Sequence, residues 1–111
     1  MTQALHRWKR QSRESLCDRA GDTAADEALI RRYVERDPLD LGPADAQIVG
    51  HGVAVWALLT YLRGVDDDVT RTAIDYGLTV DAVEAAIRYY CRHQGVIDAR
   101  IRLNESLSSQ A

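Results

Sequence analysis

The sequence predicts a mainly α fold: a helix-turn-helix (homeodomain-like) helical bundle with a short N-terminal β-hairpin or β-arm. Three observations predict it. Ala73, Gly77, Leu78 and Val83 stand at offsets 0, 4, 5 and 10. That is the spacing at which a small residue admits a second helix, glycine takes the positive φ of the turn, and an apolar residue locks the pair. An apolar seam (Val83, Ala86, Ile87, Tyr90, Cys91, Gln94, Ile97 and Ile101) then advances in steps of three and four, the period of one helix face. Two short β-branched runs, Gln47-Ile48-Val49 and Val53-Ala54-Val55, flank Gly50-His51-Gly52 and read as a small hairpin.

The elements follow in order. Residues 1–25 form a polar, basic extension ending in Ala20-Gly21-Asp22-Thr23-Ala24-Ala25, a break. A short helix fits within Ala4–Cys17, where Leu5, Trp8 and Leu16 share a loose apolar stripe. Residues 26–46 comprise a helix and a loop: Leu29, Ile30, Tyr33 and Val34 mark an amphipathic face that Asp37-Pro38 stops, and Pro38, Pro43 and Gly42 keep the rest irregular. Residues 47–108 hold the β-arm and the helix-turn-helix domain. Val55, Leu58, Leu59 and Leu62 share a face of the helix that Arg63-Gly64 ends. Asp66-Asp67-Asp68 opens the next helix as caps, since consecutive helical side chains splay too far apart to share a cation. Thr79 caps the helix carrying the seam, which keeps its phase across Gly95, so that helix either continues there or kinks and restarts.

At 111 residues, 46% hydrophobic and 28% charged, the chain is an ordinary globular domain with some extension. No run reaches the length of a membrane span, and Met1 to Arg10 contains no signal-peptide core, so a cytoplasmic protein is expected. Residues 1–19 carry Arg7, Lys9, Arg10, Arg13 and Arg19 against Glu14 and Asp18, a balance of +3; the chain total of −3 leaves −6 for the remainder. Such an arm either tracks phosphates or is a solvated terminus. Cys17 and Cys91 are too few for a disulfide framework, and Cys91 reads as a small core hydrophobe. His51 reads as the tip of a turn. No pairing of nucleophile and base, phosphate-binding glycine loop or metal signature appears, so neither an enzyme nor a cofactor is expected.

The segment from about Tyr33 to Ile101 resembles the bacterial domain-of-unknown-function family numbered 433, a group of VapB-like antitoxins. Its members run from a Pro-rich loop into Ile-x-Gly-Thr-Arg-Ile-x-Val and a Leu-rich helix ending in Gly. A helix-turn-helix with an Ala-Ala-Leu-x-Tyr-Tyr helix and an Ile-Asp tail follows. The corresponding stretches here are Ile48-Val49-Gly50-His51-Gly52-Val53-Ala54-Val55, Trp56 to Gly64, Tyr76 to Val83, Ala85-Ala86-Ile87-Arg88-Tyr89-Tyr90 and Ile97-Asp98-Ala99-Arg100-Ile101. One departure stands out: the family's Thr-Arg pair is His51-Gly52 here, so that arginine's role does not transfer.

The resemblance implies a non-catalytic antitoxin that binds and inhibits a PIN-like ribonuclease toxin from an adjacent gene and autoregulates its own promoter. A PIN-type nuclease holds Mg²⁺ among carboxylates, which an inserted arginine can block. The expected toxin-binding residues lie on the carboxy-terminal helix, Tyr89 to Leu103: Tyr89 as the exposed ring of the Tyr89-Tyr90 pair, with Arg92, Ile97, Arg100, Ile101 and Arg102. The alternative is a stand-alone helix-turn-helix transcription regulator. Its DNA-binding residues would be Arg7, Lys9, Arg10 and Arg13 in the arm, with Thr79 and Arg88 on the second helix. The other outward positions of that helix, Val80, Asp81, Glu84 and Ala85, add no cation and two carboxylates, which makes direct base reading a poor match. A two-stranded ribbon is marginal alone and calls for a pairing partner, so a homodimer is expected.

Overall fold

The computed structural model describes Cys17, residues 23–35 and residues 42–110. Apart from Cys17, the expected helix within Ala4–Cys17 and the basic arm lie outside the described residues. The described part is mainly helical, with one two-stranded antiparallel sheet. None of its helices is long and apolar enough to cross a membrane.

The first helix, α1 (Thr23–Tyr33), stops at Tyr33, and the β-branched Val34 begins strand β1 (Val34–Glu35) instead of continuing the helix. Strand β1 pairs antiparallel with β2 (Gln47–Ile48) in the register Val34 to Ile48 and Glu35 to Gln47. The expected hairpin is thereby corrected. Its two runs meet only at the Gln47–Ala54 bridge, with Ile48 N–H donating to the Val53 carbonyl at 2.8 Å and Val55 N–H to Ala46 at 3.0 Å. Val55 already opens the next helix, so the second run has no length to pair. The ribbon is completed by β1 of the same chain, which removes the argument that it needs a second copy.

A 3₁₀ turn (Pro43–Asp45) interrupts the expected loop and lies against the last helix. Helix α2 (Val55–Gly64) buries Val55, Leu58, Leu59 and Leu62, the expected face. Asp66 and Asp67 then take positive φ, a conformation that aspartate tolerates better than most residues. Asp68 caps α3 (Val69–Tyr76) by accepting from Arg71 N–H at 3.0 Å. Gly77 ends α3 at φ +68°, and Leu78 N–H donates back to Ala73 at 2.9 Å, closing the last turn. Thr79 Oγ1 accepts from Ala82 N–H at 3.1 Å and starts α4 (Val80–Arg92). The seam helix breaks at His93 and restarts as α5 (Gln94–Gln110).

Helix α4 is the hub. Helices α2 and α3 pack on one side of it and α1 on another, so Ala82, Val83, Ala85, Ala86, Ile87, Tyr89 and Tyr90 are all buried. Helix α5 lies on α2 and the 3₁₀ turn through Ile97 and Ile101. Cys91 is bonded to Cys17 in a disulfide. The expectation of Cys91 as a small core hydrophobe is corrected: its sulfur is bonded, and Cys17 lies beside the end of α4.

Candidate interaction surface

Most expected site residues turn out to be engaged inside the chain. Ile97 and Ile101 carry the α5 seam into the core, as the spacing requires, and so cannot reach a partner. Tyr89, expected to be the exposed ring, is only 8% exposed and lies against His93 at 4.5 Å between ring centres. Ala85, expected to face outward, is fully buried. Both corrections share one cause: α1 covers the face of α4 that a three-helix motif would leave open, and the sequence pattern of α4 alone does not reveal that cover.

Arg88, Arg92 and Arg100 are paired. Arg88 binds Glu84 Oε2 through Nη1 at 2.7 Å, and its Nε lies 2.7 Å from Asp26 Oδ1 with the N–H not aligned on that oxygen. Asp26 is 5% exposed and is the one fully buried residue of α1, so Arg88 closes an internal charge cluster and offers little to an outside ligand. Arg92 donates to the Thr23 carbonyl at 3.2 Å and sits 3.8 Å from Glu27. Arg100 pairs with Asp45 of the 3₁₀ turn at 2.8 Å. Thr79 is exposed, but its hydroxyl is spent on the cap. Arg102 is exposed and lines a surface cavity of about 400 Å³ with Arg63, Asp98, Ile101 and Glu105. Arg7, Lys9, Arg10 and Arg13 lie outside the described residues.

Beside that cavity, Arg63 Nη2 donates to Asp98 at 2.7 Å and to the Tyr90 hydroxyl at 2.9 Å, and Tyr90 donates to Asp98 at 3.0 Å. This triangle fixes α5 against α2 and α4. Burial acts most strongly and lowers the Arg63 pKa, but the hydrogen bonds and charges of Asp98 and Tyr90 together outweigh it, and the guanidinium sits above its ordinary value. Burial pushes the Tyr90 hydroxyl up.

What the fold leaves open on α5 is a second apolar row. Val96, Leu103 and Leu107 are 47%, 55% and 59% exposed. They stand seven and four residues apart, which places them on one helix face, turned away from Ile97 and Ile101. Apolar side chains aligned on one exposed helix face suit the helix-in-groove mode of recognition. The signal was present in the sequence as a second period within the helix. It was hidden behind the stronger seam that ends at Ile101. A second opening, about 390 Å³, lies where Arg32, Tyr33, Val49 and His51 face Leu78 and Thr79, with His51 on the exposed turn after β2. Compared with family models, curated proteins and solved structures, the chain matches none.

Proposed function

We propose that this protein is the non-catalytic antitoxin of a type II toxin-antitoxin pair, working in the cytoplasm, and that it binds and inhibits a PIN-like ribonuclease encoded beside it. The observation carrying this reading is the open Val96, Leu103, Leu107 row on a helix held rigidly by the Arg63, Tyr90, Asp98 triangle. An amphipathic helix laid into an apolar groove is a common recognition mode, and three aliphatic anchors on one face are its signature. Arg102, exposed next to this row, is the cation best placed to meet the carboxylates of such a nuclease. The family resemblance supplies the nature of the partner. The test is inhibition of RNA cleavage by the neighbouring nuclease: stoichiometric inhibition is expected, and full cleavage at excess antitoxin refutes the proposal.

We read α3 and α4 as a helix-turn-helix, supported by buried Ala73, Gly77 at positive φ, and Val83 in the core. Promoter binding is the second reading. Direct readout by α4 is disfavoured, because α1 covers its middle and its open start holds Thr79, Val80 and Asp81. A homodimer remains part of the proposal, through the exposed Val49, Ile74 and Val80 rather than through the ribbon.

A further inference from the structure

We propose that α1 is a hinged cover over α4, and that the Cys17 and Cys91 thiols lock it down when they close to a disulfide. Three observations carry this. First, α1 is held by little apolar surface: its one fully buried residue is Asp26, and Leu29, Ile30 and Tyr33 are only half-buried. The rest of its hold on α4 is polar, with Asp26 on Arg88 and both Thr23 and Glu27 on Arg92. The Arg92 contacts are partly solvated, where each contributes little.

Second, the two ends of α1 are fastened differently. Its carboxy-terminal end runs into β1, which pairs with β2, and Val49 N–H donates to the Tyr33 carbonyl at 2.9 Å. At the other end, five residues separate Thr23 from Cys17, which is bonded to Cys91 on the last turn of α4. Opening that bond leaves β1 as the hinge.

Third, both sulfurs are half-buried, within reach of a small disulfide. Gln94 Nε2 donates to Cys17 Sγ at 3.2 Å, whereas Cys91 stands at a helix carboxy terminus, where the dipole opposes negative charge. Cys17 is therefore the sulfur that carries the thiolate. It attacks glutathione disulfide and expels one glutathione; Cys91 then attacks the Cys17 sulfur of the mixed disulfide and expels the second. The two protein thiols are oxidised, one disulfide is reduced to two thiols, and the protons end on glutathione. Locked, α1 covers Ala85 and Tyr89 and sets Asp26 and Glu27 against Arg88 and Arg92. Unlocked, it lifts at its amino-terminal end and uncovers that face. In a reducing compartment the thiol form is the resting state and an oxidant is the signal. The switch concerns the chain alone and rests on neither functional reading.

Hydrogen exchange read by mass spectrometry tests it, on the full chain oxidised with glutathione disulfide or reduced with dithiothreitol. In the oxidised chain the α1 amides are expected to exchange at the pace of α2. In the reduced chain they should exchange about tenfold or more faster than α2. Cys17→Ser should match the reduced chain in both buffers. An α1 indifferent to reductant overturns the proposal. Equal acceleration of α1 and α2 also overturns it, and makes the bond a staple of the whole fold. Thiol alkylation across glutathione buffers completes the test: the bond should open in excess glutathione and close in excess glutathione disulfide. A bond that glutathione neither breaks nor forms overturns the switch.

Discussion

Arg63 ties three helices together, since its two bonds reach Tyr90 on α4 and Asp98 on α5. Because the group is partly solvated, Arg63→Ala is expected to lower unfolding free energy by about 1–2 kcal/mol in a urea titration. Tyr90 adds a pH signature. Burial raises its pKa, the Arg63 charge pulls it down, and the bond to Asp98 reinforces the rise. The folded state therefore favours the neutral phenol. Its contribution is complete below the ordinary tyrosine value of about 10 and is lost as pH climbs through the higher folded value. Stability should be level around neutrality and decline above about pH 10. Tyr90→Phe should soften that decline without abolishing it, because Tyr61, raised by its bond to Asp75, acts in the same direction. An identical alkaline decline in Tyr90→Phe would contradict the assignment. Asp26→Ala leaves Arg88 with Glu84 alone, and roughly 2 kcal/mol of lost stability is expected, less than a fully buried pair would cost.

At the scale of elements, the α3–α4 joint depends on Gly77 and Thr79. Gly77→Ala forces a side chain into φ +68° and should cost about 1–2 kcal/mol; no change in the urea midpoint would refute the turn geometry. Thr79→Ala removes the cap and should cost about 1 kcal/mol. This joint was legible in the sequence because its determinants are local: a small residue, a glycine and a capping hydroxyl within a few positions. The faces of α2 and the α5 seam were legible for the same reason. Pairing of β1 with β2 was not, since residues 34 and 48 are far apart in sequence and each strand is too short to show a period. Nor was the cover of α1 over Ala85 and Tyr89, because the α1 stripe says that it packs but not on what. On α5 the same limit appears in reverse. Ile97 and Ile101, expected to face the partner, close the core, while Leu103 and Leu107, which lie off the seam, are exposed.

Across the whole molecule, the Cys17–Cys91 bond spans 74 residues and fastens Cys17 to the end of α4. Disulfides of this kind persist in oxidising surroundings, so in the reducing cytoplasm we propose for this protein the two cysteines would be thiols. Reduction should lower stability by about 2–4 kcal/mol, read as a shift of the thermal midpoint with and without reductant; an unchanged midpoint would show that the bond bears no part of the fold. The central claim is that α5 is where binding happens. It is tested most directly by co-expressing the chain with the products of its two flanking genes, purifying through a tag on this chain, and measuring the mass that elutes. A stable complex with a small nuclease is expected, lost in the double variant Leu103→Asp, Leu107→Asp while that variant keeps its helical content. A chain that elutes without a nuclease, or a complex indifferent to both substitutions, would contradict the account.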